Sequence, residues 1–231
     1  MTVSEARHIV RMFDENMVPA EEDVFLYTEA LGFLIEEEHD PKDMLALGGY
    51  YYEKRDFDLA LKYYEMAAQY DYDPAYECLG YIWYYGRTGS KDYEKAFYYF
   101  SRLMAKGDIN ASYKIADMYK DGYYVDKDQA KYEMIIESLY PKVKDLKNVF
   151  APLPEIYTRL AAICKNRGRI EEAVDLYLEA KDFLAQRISY NAFFGNLSIM
   201  KWLIDDLYQL IEFDTSYFDF YDMFYLLHRL D

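Results

Sequence analysis

The sequence predicts an all-α protein built from repeated pairs of antiparallel helices. One pattern of small and apolar residues recurs four times along the chain, and such self-similarity is typical of helical repeat architectures. Only six Pro and ten Gly interrupt the 231 residues. A sandwich of many short strands needs more turn residues than this, so we expect helices to dominate the fold.

The first and last copies of the pattern share one spacing. Six residues fall at matching intervals in both copies: Leu47, Gly48, Tyr51, Ala60, Tyr64 and Ala67 in the first, and Leu160, Ala161, Cys164, Ala173, Tyr177 and Ala180 in the last. Six coincident positions are hard to obtain by chance. The two copies therefore predict the same structural unit.

Two further copies lie between them and have longer loops between their helices. Their matching residues are Leu79, Gly80, Trp83, Ala96 and Phe100 in the second copy, and Ile115, Ala116, Tyr119 and Ala130 in the third. Relative to the outer copies, we interpret the second copy as carrying four extra residues before its alanine and the third as carrying two.

The outer copies resemble the tetratricopeptide repeat, and the middle copies resemble its Sel1-like variant. In the middle copies the resemblance lies in the stretches 75–86 and 111–128, and as a whole it covers roughly residues 41–185. It implies a right-handed superhelical solenoid of antiparallel helix pairs. It also implies a non-enzymatic scaffold for protein complexes, although that role spans many unrelated pathways.

The flanking patterns suggest caps at both ends of the repeats. Residues 1–40 are expected to form a degenerate capping hairpin, with helices over 3–15 and 21–38. The four repeats are expected at about 41–72, 73–108, 109–140 and 154–185, with a spacer over 141–153. Capping helices are expected over 186–231: the last repeat's second helix runs to Phe194 and stops at Gly195, and short helices follow near 197–211 and 216–230.

Small residues are expected where the two helices of a pair meet. They are Gly48, Gly80, Ala116 and Ala161 on the first helices, and Ala60, Ala96, Ala130 and Ala173 on the second. Small faces let helices approach closely, and large tyrosines then fill the space between pairs. Asp40-Pro41 and Asp73-Pro74 predict helix starts, because Asp caps the first turn and Pro lacks the N–H that would need a partner there.

The charge of the chain is concentrated near its ends. The net charge is −16 at pH 7, with −9 in residues 1–41 and −6 in residues 203–231. Such a chain repels phosphate backbones, which argues against nucleic-acid binding. Terminal repeats of a solenoid have one neighbour each, so a polar outer face is expected at both ends.

Other features of the sequence indicate a soluble, cytoplasmic protein without membrane association. No apolar run approaches the length of about 18 residues that spans a bilayer, and the first residues do not resemble a secretion signal. Cys78 and Cys164 each occupy an apolar helical stripe. Both are therefore predicted to be buried free thiols, which fits a reducing compartment.

No residue pattern indicates an enzyme, a metal site or a cofactor. His8, His39 and His228 have no His or Cys three or four positions further along the chain. The loop 86–91 superficially resembles a phosphate-binding loop but has only two residues between its glycines, and the loop 121–128 lacks the closing Glu of a calcium loop. We expect no enzymatic activity and no cofactor.

The resemblance places a partner site on the first helix of each pair, which lines the concave groove of such solenoids. Carried onto this chain, it gives four groove positions in each repeat, and seven of the residues there are the candidates: Tyr52, Glu77, Tyr81, Tyr84, Tyr113, Asp117 and Lys120. The tyrosines would form one aromatic strip, and tyrosine is enriched at the centres of interfaces. Glu77 and Asp117 would be available to a basic side chain, so the expected partner is a protein or peptide with basic character.

The clamp that some tetratricopeptide proteins use for a terminal carboxylate is not expected. That clamp needs Lys and Asn at two groove positions. The matching residues are Leu45 and Gly49 in the first repeat, and Glu77 and Tyr81 in the second. Binding of an acidic peptide tail by such a clamp is therefore not predicted.

Two interpretations of the binding site remain open. The first is a monomeric adaptor or inhibitor that holds a protein in the groove. The second is a self-associating assembly element, or an immunity-type protein, that binds through the aromatic and acidic C-terminus, where Phe218, Tyr221 and Tyr225 lie. Packing or composition alone also explains a row of tyrosines, because the chain contains 28 of them. A monomer or a weak homodimer is expected.

Overall fold

The computed structural model describes residues 1–15, 21–146, 148, 151–190 and 194–210. Every regular element in these ranges is an α-helix, which confirms the predicted all-α class. The helices are α1 (Val3–Glu15), α2 (Glu21–Glu38), α3 (Pro41–Glu53), α4 (Phe57–Ala68), α5 (Asp73–Tyr85), α6 (Tyr93–Ala105), α7 (Ile109–Asp121), α8 (Gln129–Val143), α9 (Leu153–Asn166), α10 (Ile170–Tyr190) and α11 (Phe194–Leu210). None of these helices is long and apolar enough to cross a membrane.

The chain divides into two units, Met1–Ala111 and Ser112–Asp231. In the first unit, each helix from α1 to α5 packs against the next helix in the sequence. In the second unit, α8 packs against α9, α9 against α10, and α10 against α11. Short connections between consecutive helices are typical of helical hairpins. The repeat boundaries given above stay predictions.

Two glycines have the small-residue role that the sequence indicates. A Cβ atom at Gly48 would lie 2.6 Å from ring atoms of Tyr64, and a Cβ atom at Gly80 would lie 2.5 Å from a ring atom of Phe100. Neither position has room for a methyl group. The Tyr64 ring therefore packs directly on α3 and the Phe100 ring on α5, and both side chains belong to the core.

Aspartates cap several of the helices, among them α7, where the Asp108 carboxylate accepts the Ala111 amide at 2.7 Å. The Asp40 carboxylate accepts a hydrogen bond from the Lys42 amide at 2.9 Å, as expected for the start of α3. Asp56, Asp92 and Asp128 cap α4, α6 and α8 in the same manner. Each carboxylate satisfies an amide that has no partner within the first turn of its helix.

The prediction that Asp73 caps a helix is wrong. Tyr72 occupies the capping position of α5, and its side chain makes no capping hydrogen bond. Asp73 is the first residue of the helix, and its carboxylate instead accepts a hydrogen bond from Nζ of Lys106 at 2.5 Å. Pro74 still lies in the first turn, where its missing N–H has no cost.

The expected packing role of Ala130 is also wrong, because Ala130 is exposed. The buried residue is Tyr132, which follows the cap Asp128 at the interval by which Ala96 follows the cap Asp92. Both middle copies therefore carry the same four-residue insertion, and a tyrosine takes the place of the alanine in α8. Ala130 was matched to the alanines of the other copies because it is small. The buried face of α8 is instead determined by where the helix starts, at the cap Asp128.

The C-terminal part differs from the expectation in two places. Helix α10 ends at Tyr190, and Gly195 lies inside α11 instead of stopping α10. Pro141, expected at the start of an irregular spacer, lies inside the last turn of α8. The helix predicted over 216–230 lies outside the described residues, as do Phe218, Tyr221 and Tyr225.

Candidate functional site

Helix α5 presents tyrosines around a buried phenylalanine in the first unit. The Tyr81 ring stacks on Tyr85, with 6.1 Å between ring centroids, and meets Phe100 edge-on at 5.4 Å. The Tyr84 ring lies edge-on to Tyr85 at 5.1 Å and to Tyr93 at 5.8 Å. We call Tyr81, Tyr84, Tyr85 and Tyr93 the aromatic surface. Phe100 is fully buried beneath it, while Tyr85 is 44% exposed and the other three tyrosines are half-buried.

The local sequence explains this arrangement. Gly80 leaves room for the Phe100 ring, which several of the tyrosines then contact. Gly86 ends α5 in a left-handed conformation (φ 66°), which glycine adopts without steric cost. The Arg87 amide then donates to the Ile82 carbonyl at 3.0 Å. The backbone thus turns sharply after α5 and holds Arg87 beside the aromatic surface.

Arg87 connects Tyr52 of α3 to the aromatic surface. Its Nε donates a hydrogen bond to the Tyr52 hydroxyl at 3.0 Å. Its guanidinium carbon lies 6.0 Å from the ring centroids of Tyr52 and Phe57 and 5.3 Å from that of Tyr85. Cation–π contacts of this length are favourable. The sequence places Arg87 in the loop 86–91, two residues after Tyr85, and this proximity to a pair of tyrosines was the available signal.

Glu77, one turn before Tyr81, has an incompletely satisfied carboxylate. It is half-buried and accepts a long hydrogen bond of 3.4 Å from Asn110. Burial raises the pKa of Glu77, and the charge of Asp108 adds to that effect, while the hydrogen bond from Asn110 opposes it. A cation beside Glu77 would favour its ionised form.

In the second unit, the α7 candidates are engaged by an arginine of α9. Nε and Nη2 of Arg159 donate to the two carboxylate oxygens of Asp117 at 2.8 and 2.5 Å, and the guanidinium carbon lies 4.7 Å from the Tyr113 ring centroid. Tyr113 is only 7% exposed. Burial lowers the pKa of Arg159, but the charge and hydrogen bonds of Asp117 outweigh that effect and raise it. Arg159 is therefore charged, and both it and Asp117 are mostly buried.

Lys120 is the exposed member of the α7 candidates. Its Nζ lies 5.5 Å from the ring centroid of the buried Tyr132. The structure thus groups the candidates by unit. Tyr52, Tyr81 and Tyr84 belong to one connected set of rings around Arg87, whereas Tyr113 and Asp117 surround Arg159.

An open cleft in the first unit lies between the turn after α3 and the turn after α5. Its volume is about 390 Å³, and its lining residues are Lys54, Arg55, Asp56, Phe57, Asp58, Arg87 and Thr88. We call it the basic cleft. Arg87 lines this cleft and also contacts Tyr52 and Tyr85, so the cleft adjoins both Tyr52 and the aromatic surface.

The described residues offer little that suits covalent or metal chemistry. No group of three or more His, Cys, Asp or Glu side chains in the described ranges could hold a metal ion. Both cysteines are free, Cys164 being buried and Cys78 half-buried. Burial raises the pKa of the Cys78 thiol to about 11 and also raises that of Cys164. Thiols with raised pKa values are poor nucleophiles near neutral pH.

Comparisons with known proteins identify the fold. No family model matches the chain, and no curated protein matches it. A Sel1 repeat protein from Oxalobacter formigenes is structurally similar, with a TM-score of 0.57 and 23% sequence identity over 77% of this chain and 67% of that chain.

A protective antigen of uropathogenic Escherichia coli strains, which has a Sel1-like repeat fold, is similar as well. The TM-score is 0.55 and the sequence identity 16%, over 80% of this chain and 44% of that chain. The present chain thus spans less than half of that antigen. At these identities the likeness concerns the fold, which is that of Sel1-like repeat proteins, as the sequence predicts.

Proposed function

We propose that this protein is a non-enzymatic interaction scaffold that binds a protein or peptide on the aromatic surface and the adjoining face of Tyr52. The observation that carries the proposal is the cluster of partly exposed tyrosines in the first unit, where Tyr85 is 44% exposed. Tyrosine offers a large contact area with few rotatable bonds, and such residues dominate the energetics of many interfaces.

The rings of the aromatic surface are already held by their neighbours. Tyr81 and Tyr84 both pack against Phe100, and both contact Tyr85. A side chain that is held before binding loses less conformational entropy when a partner arrives. This supports a binding role for the two tyrosines in addition to their packing role.

The basic character proposed for the partner now rests on Glu77 alone. Asp117 already has an internal partner in Arg159, so it has little capacity for a cation from outside. Glu77 has a single long hydrogen bond and lies one turn from Tyr81. A lysine or arginine that accompanies the apolar part of the ligand would lie near Glu77.

We further propose that the protein works in the cytoplasm as a monomer or weak homodimer. Two free cysteines are compatible with a reducing compartment. A net charge of −16 makes copies of the chain repel one another, and it makes nucleic acid an unsuitable partner.

The test of the proposal is a binding measurement with the Tyr81→Ala/Tyr84→Ala variant. Partners would first be isolated from native lysate with the full chain, and the affinity of the best one then measured by calorimetry. Loss of anchors near an interface centre often costs about 2 kcal/mol or more, so we expect a decrease in affinity of at least about thirtyfold.

The matched control is Tyr70→Ala, because Tyr70 is a 51% exposed tyrosine of the same unit that lies outside the aromatic surface. It should leave the affinity unchanged. If the double variant keeps its helical circular dichroism spectrum and still binds as tightly as the parent chain, the aromatic surface is not the site.

A C-terminal site is the second candidate, and exposed aromatics on α11 favour it. Trp202 is 38% exposed and Tyr208 is 58% exposed, on the last described helix before the aromatic residues 211–231. If the protein self-associates there, Trp202→Ala/Tyr208→Ala should shift its sedimentation coefficient towards the monomer. A monomeric parent chain at high concentration would exclude the self-association.

A further inference from the structure

The basic cleft stands out because the unit around it is acidic. The whole chain has a net charge of −16, and 22 Asp and Glu stand against 11 Lys and Arg in residues 1–111. Three basic side chains nevertheless line one cleft: Lys54, Arg55 and Arg87. Two carboxylates line it as well, Asp56 and Asp58, so its lining carries a net positive charge.

One of the two carboxylates has a structural role. Oδ1 of Asp56 accepts the amide of Leu59 at 3.2 Å and thereby caps α4. Lys54 and Arg55, in contrast, make no ion pair with any residue in the described part of the chain. The Nζ atom of Lys54 lies 5.8 Å from the Tyr50 ring centroid, and Lys54 is exposed. These two cations can therefore reach a carboxylate from outside the chain.

Arg55 occupies a backbone conformation that favours glycine. Its φ is 61°, in the left-handed region, at the turn that follows α3. At the turns after α6 and α9 the residue with positive φ is Gly107 or Gly168, whereas after α2 and α4 it is His39 or Asp71. A Cβ atom makes this conformation unfavourable, and such positions are often retained for function. The Arg55 side chain makes no hydrogen bond within the described residues that would offset this cost.

Arg87 gives the cleft a fixed third cation. The hydrogen bond to Tyr52 and the rings of Phe57 and Tyr85 hold its guanidinium group in one place. A guanidinium that is already positioned attracts a carboxylate without further loss of side-chain freedom. Because Tyr85 belongs to the aromatic surface, a ligand on that surface is adjacent to Arg87.

We infer that the basic cleft binds an acidic segment of the partner protein, whose Asp or Glu side chains lie between Lys54, Arg55 and Arg87. The inference rests on the proposed function, since it assigns part of the same ligand. The ligand would then be zwitterionic along its length: a cation beside Glu77, an apolar part on the aromatic surface, and carboxylates in the basic cleft. Lys54, Arg55 and Arg87 lie in the turns that follow α3 and α5. They are therefore not among the groove positions on the helices themselves.

The test uses two capped peptides with the full chain. The acidic probe alternates glutamate and phenylalanine, and the neutral probe has glutamine in place of every glutamate. Fluorescence anisotropy at low salt would give both dissociation constants. We expect a preference of about tenfold or more for the acidic probe, decreasing as salt rises, because exposed charges are screened.

The Lys54→Gln/Arg55→Gln variant should remove most of that preference while leaving the neutral probe unaffected. The matched control is Lys42→Gln/Lys62→Gln, which removes the same charge from two exposed lysines of the same unit outside the cleft. An equal loss of preference in the control, or no loss in the cleft variant, overturns the inference.

Failure of the proposed function gives a different result in the same assay. Tyr81→Ala/Tyr84→Ala should weaken both probes together, and unchanged binding of both would count against the aromatic surface and not against the cleft. If the parent chain dimerises at low salt and the cleft variant does not, the acidic segment belongs to a second copy, and the assignment to a foreign partner fails.

A second variant separates binding from folding. Arg55→Gly relieves the left-handed backbone, so its melting temperature should equal or exceed that of the parent chain. It should still lose a large part of the preference for the acidic probe. A stable Arg55→Gly variant with the full preference would contradict the role of Arg55.

Discussion

Helices α5 and α7 carry residues at matching positions of the predicted repeat, yet they use them differently. On α5, Tyr81 and Tyr84 are half-buried and pack on other rings of their unit. On α7, Tyr113 is buried and Asp117 holds Arg159 in a two-point ion pair. A repeat position thus selects a face of a helix, whereas the neighbouring helices decide which side chains that face contacts.

One residue type accounts for much of the difference. Asp117 of α7 stands where α5 has Tyr81. A mostly buried carboxylate is stable only with a charged or hydrogen-bonding partner, and Arg159 is that partner. A tyrosine at the same position needs no counterion, so its ring can remain at the surface. The tyrosine is therefore the better anchor for a ligand, and the aspartate is the better anchor for another helix.

The largest effect is expected from breaking the ion pair of the second unit. Arg159→Met leaves Asp117 without a counterion in a site where the two side chains are only 17% and 13% exposed. Removing one member of a buried pair typically costs about 3–5 kcal/mol, and we expect a loss near the lower limit. Urea unfolding of the full chain, followed by circular dichroism, measures it.

The double variant Arg159→Met/Asp117→Leu is the control for that experiment. It removes both charges, so most of the lost stability should return, because hydrophobic replacements of buried pairs are often neutral. A decrease in the free energy of unfolding of less than about 1 kcal/mol in the single variant would mean that solvent screens the pair as it does a surface pair. Asp117 would then be more accessible to a ligand than we infer.

A smaller effect is expected beneath the aromatic surface. Gly80→Ala places a methyl group 2.5 Å from the Phe100 ring, whereas the matching residue of α7 is already the buried Ala116. Overpacking of this kind costs about 1–3 kcal/mol, and the displaced ring should also loosen Tyr81 and Tyr84. The same unfolding measurement gives the stability, and tyrosine fluorescence reports on the surface.

Gly49→Ala is the matched control for that change. A Cβ atom at Gly49 would lie 3.9 Å from the Tyr64 hydroxyl, which is an ordinary contact. Alanine is the better helix former by about 1 kcal/mol, so this variant should be as stable as the parent chain or more stable. Equal losses in the two variants would show that the Phe100 ring yields readily and that Gly80 is not required for the surface.

The smallest effect is expected at Lys120, the exposed candidate of α7. Lys120→Ala removes one cation–π contact of 5.5 Å with Tyr132, and an exposed contact of this kind contributes about 0.5–1 kcal/mol at most. The free energy of unfolding should change by no more than that. A loss above about 2 kcal/mol would mean that Lys120, like Asp117, has a mainly internal role.

The fold class could be predicted because it depends on intervals along the chain. Gly48 packs against the Tyr64 ring and Gly80 against the Phe100 ring, each within one helical hairpin. The number of residues between glycine and ring is therefore visible in the sequence. The start of α3 at Asp40 follows from local capping chemistry, which is equally visible. Ala130 was misassigned because size alone did not reveal that Asp128 begins α8 and so directs Tyr132 inwards.

The details of the candidate site depend on contacts between distant residues. Arg87 meets Tyr52 across 35 positions, and Arg159 meets Asp117 across 42. No local pattern indicates which arginine will find which partner, because the choice depends on how the helices pack. The contacts of Tyr81 and Tyr84 with Phe100 lie within one helical hairpin, whereas the ion pair on α7 and the basic cleft depend on residues that are distant in the sequence.

The packing of each helix on its neighbours in the sequence has a kinetic consequence. Within each unit, the major contacts join helices that are adjacent along the chain, so forming them requires the closure of short loops only. Proteins rich in local contacts fold in microseconds to milliseconds, far faster than sheets with distant strand pairs. We therefore expect a nascent chain to bury Phe100 under α5 as soon as α6 has been made, before the second unit exists. Stopped-flow refolding with a main phase slower than about a second would show that a long-range step controls folding instead.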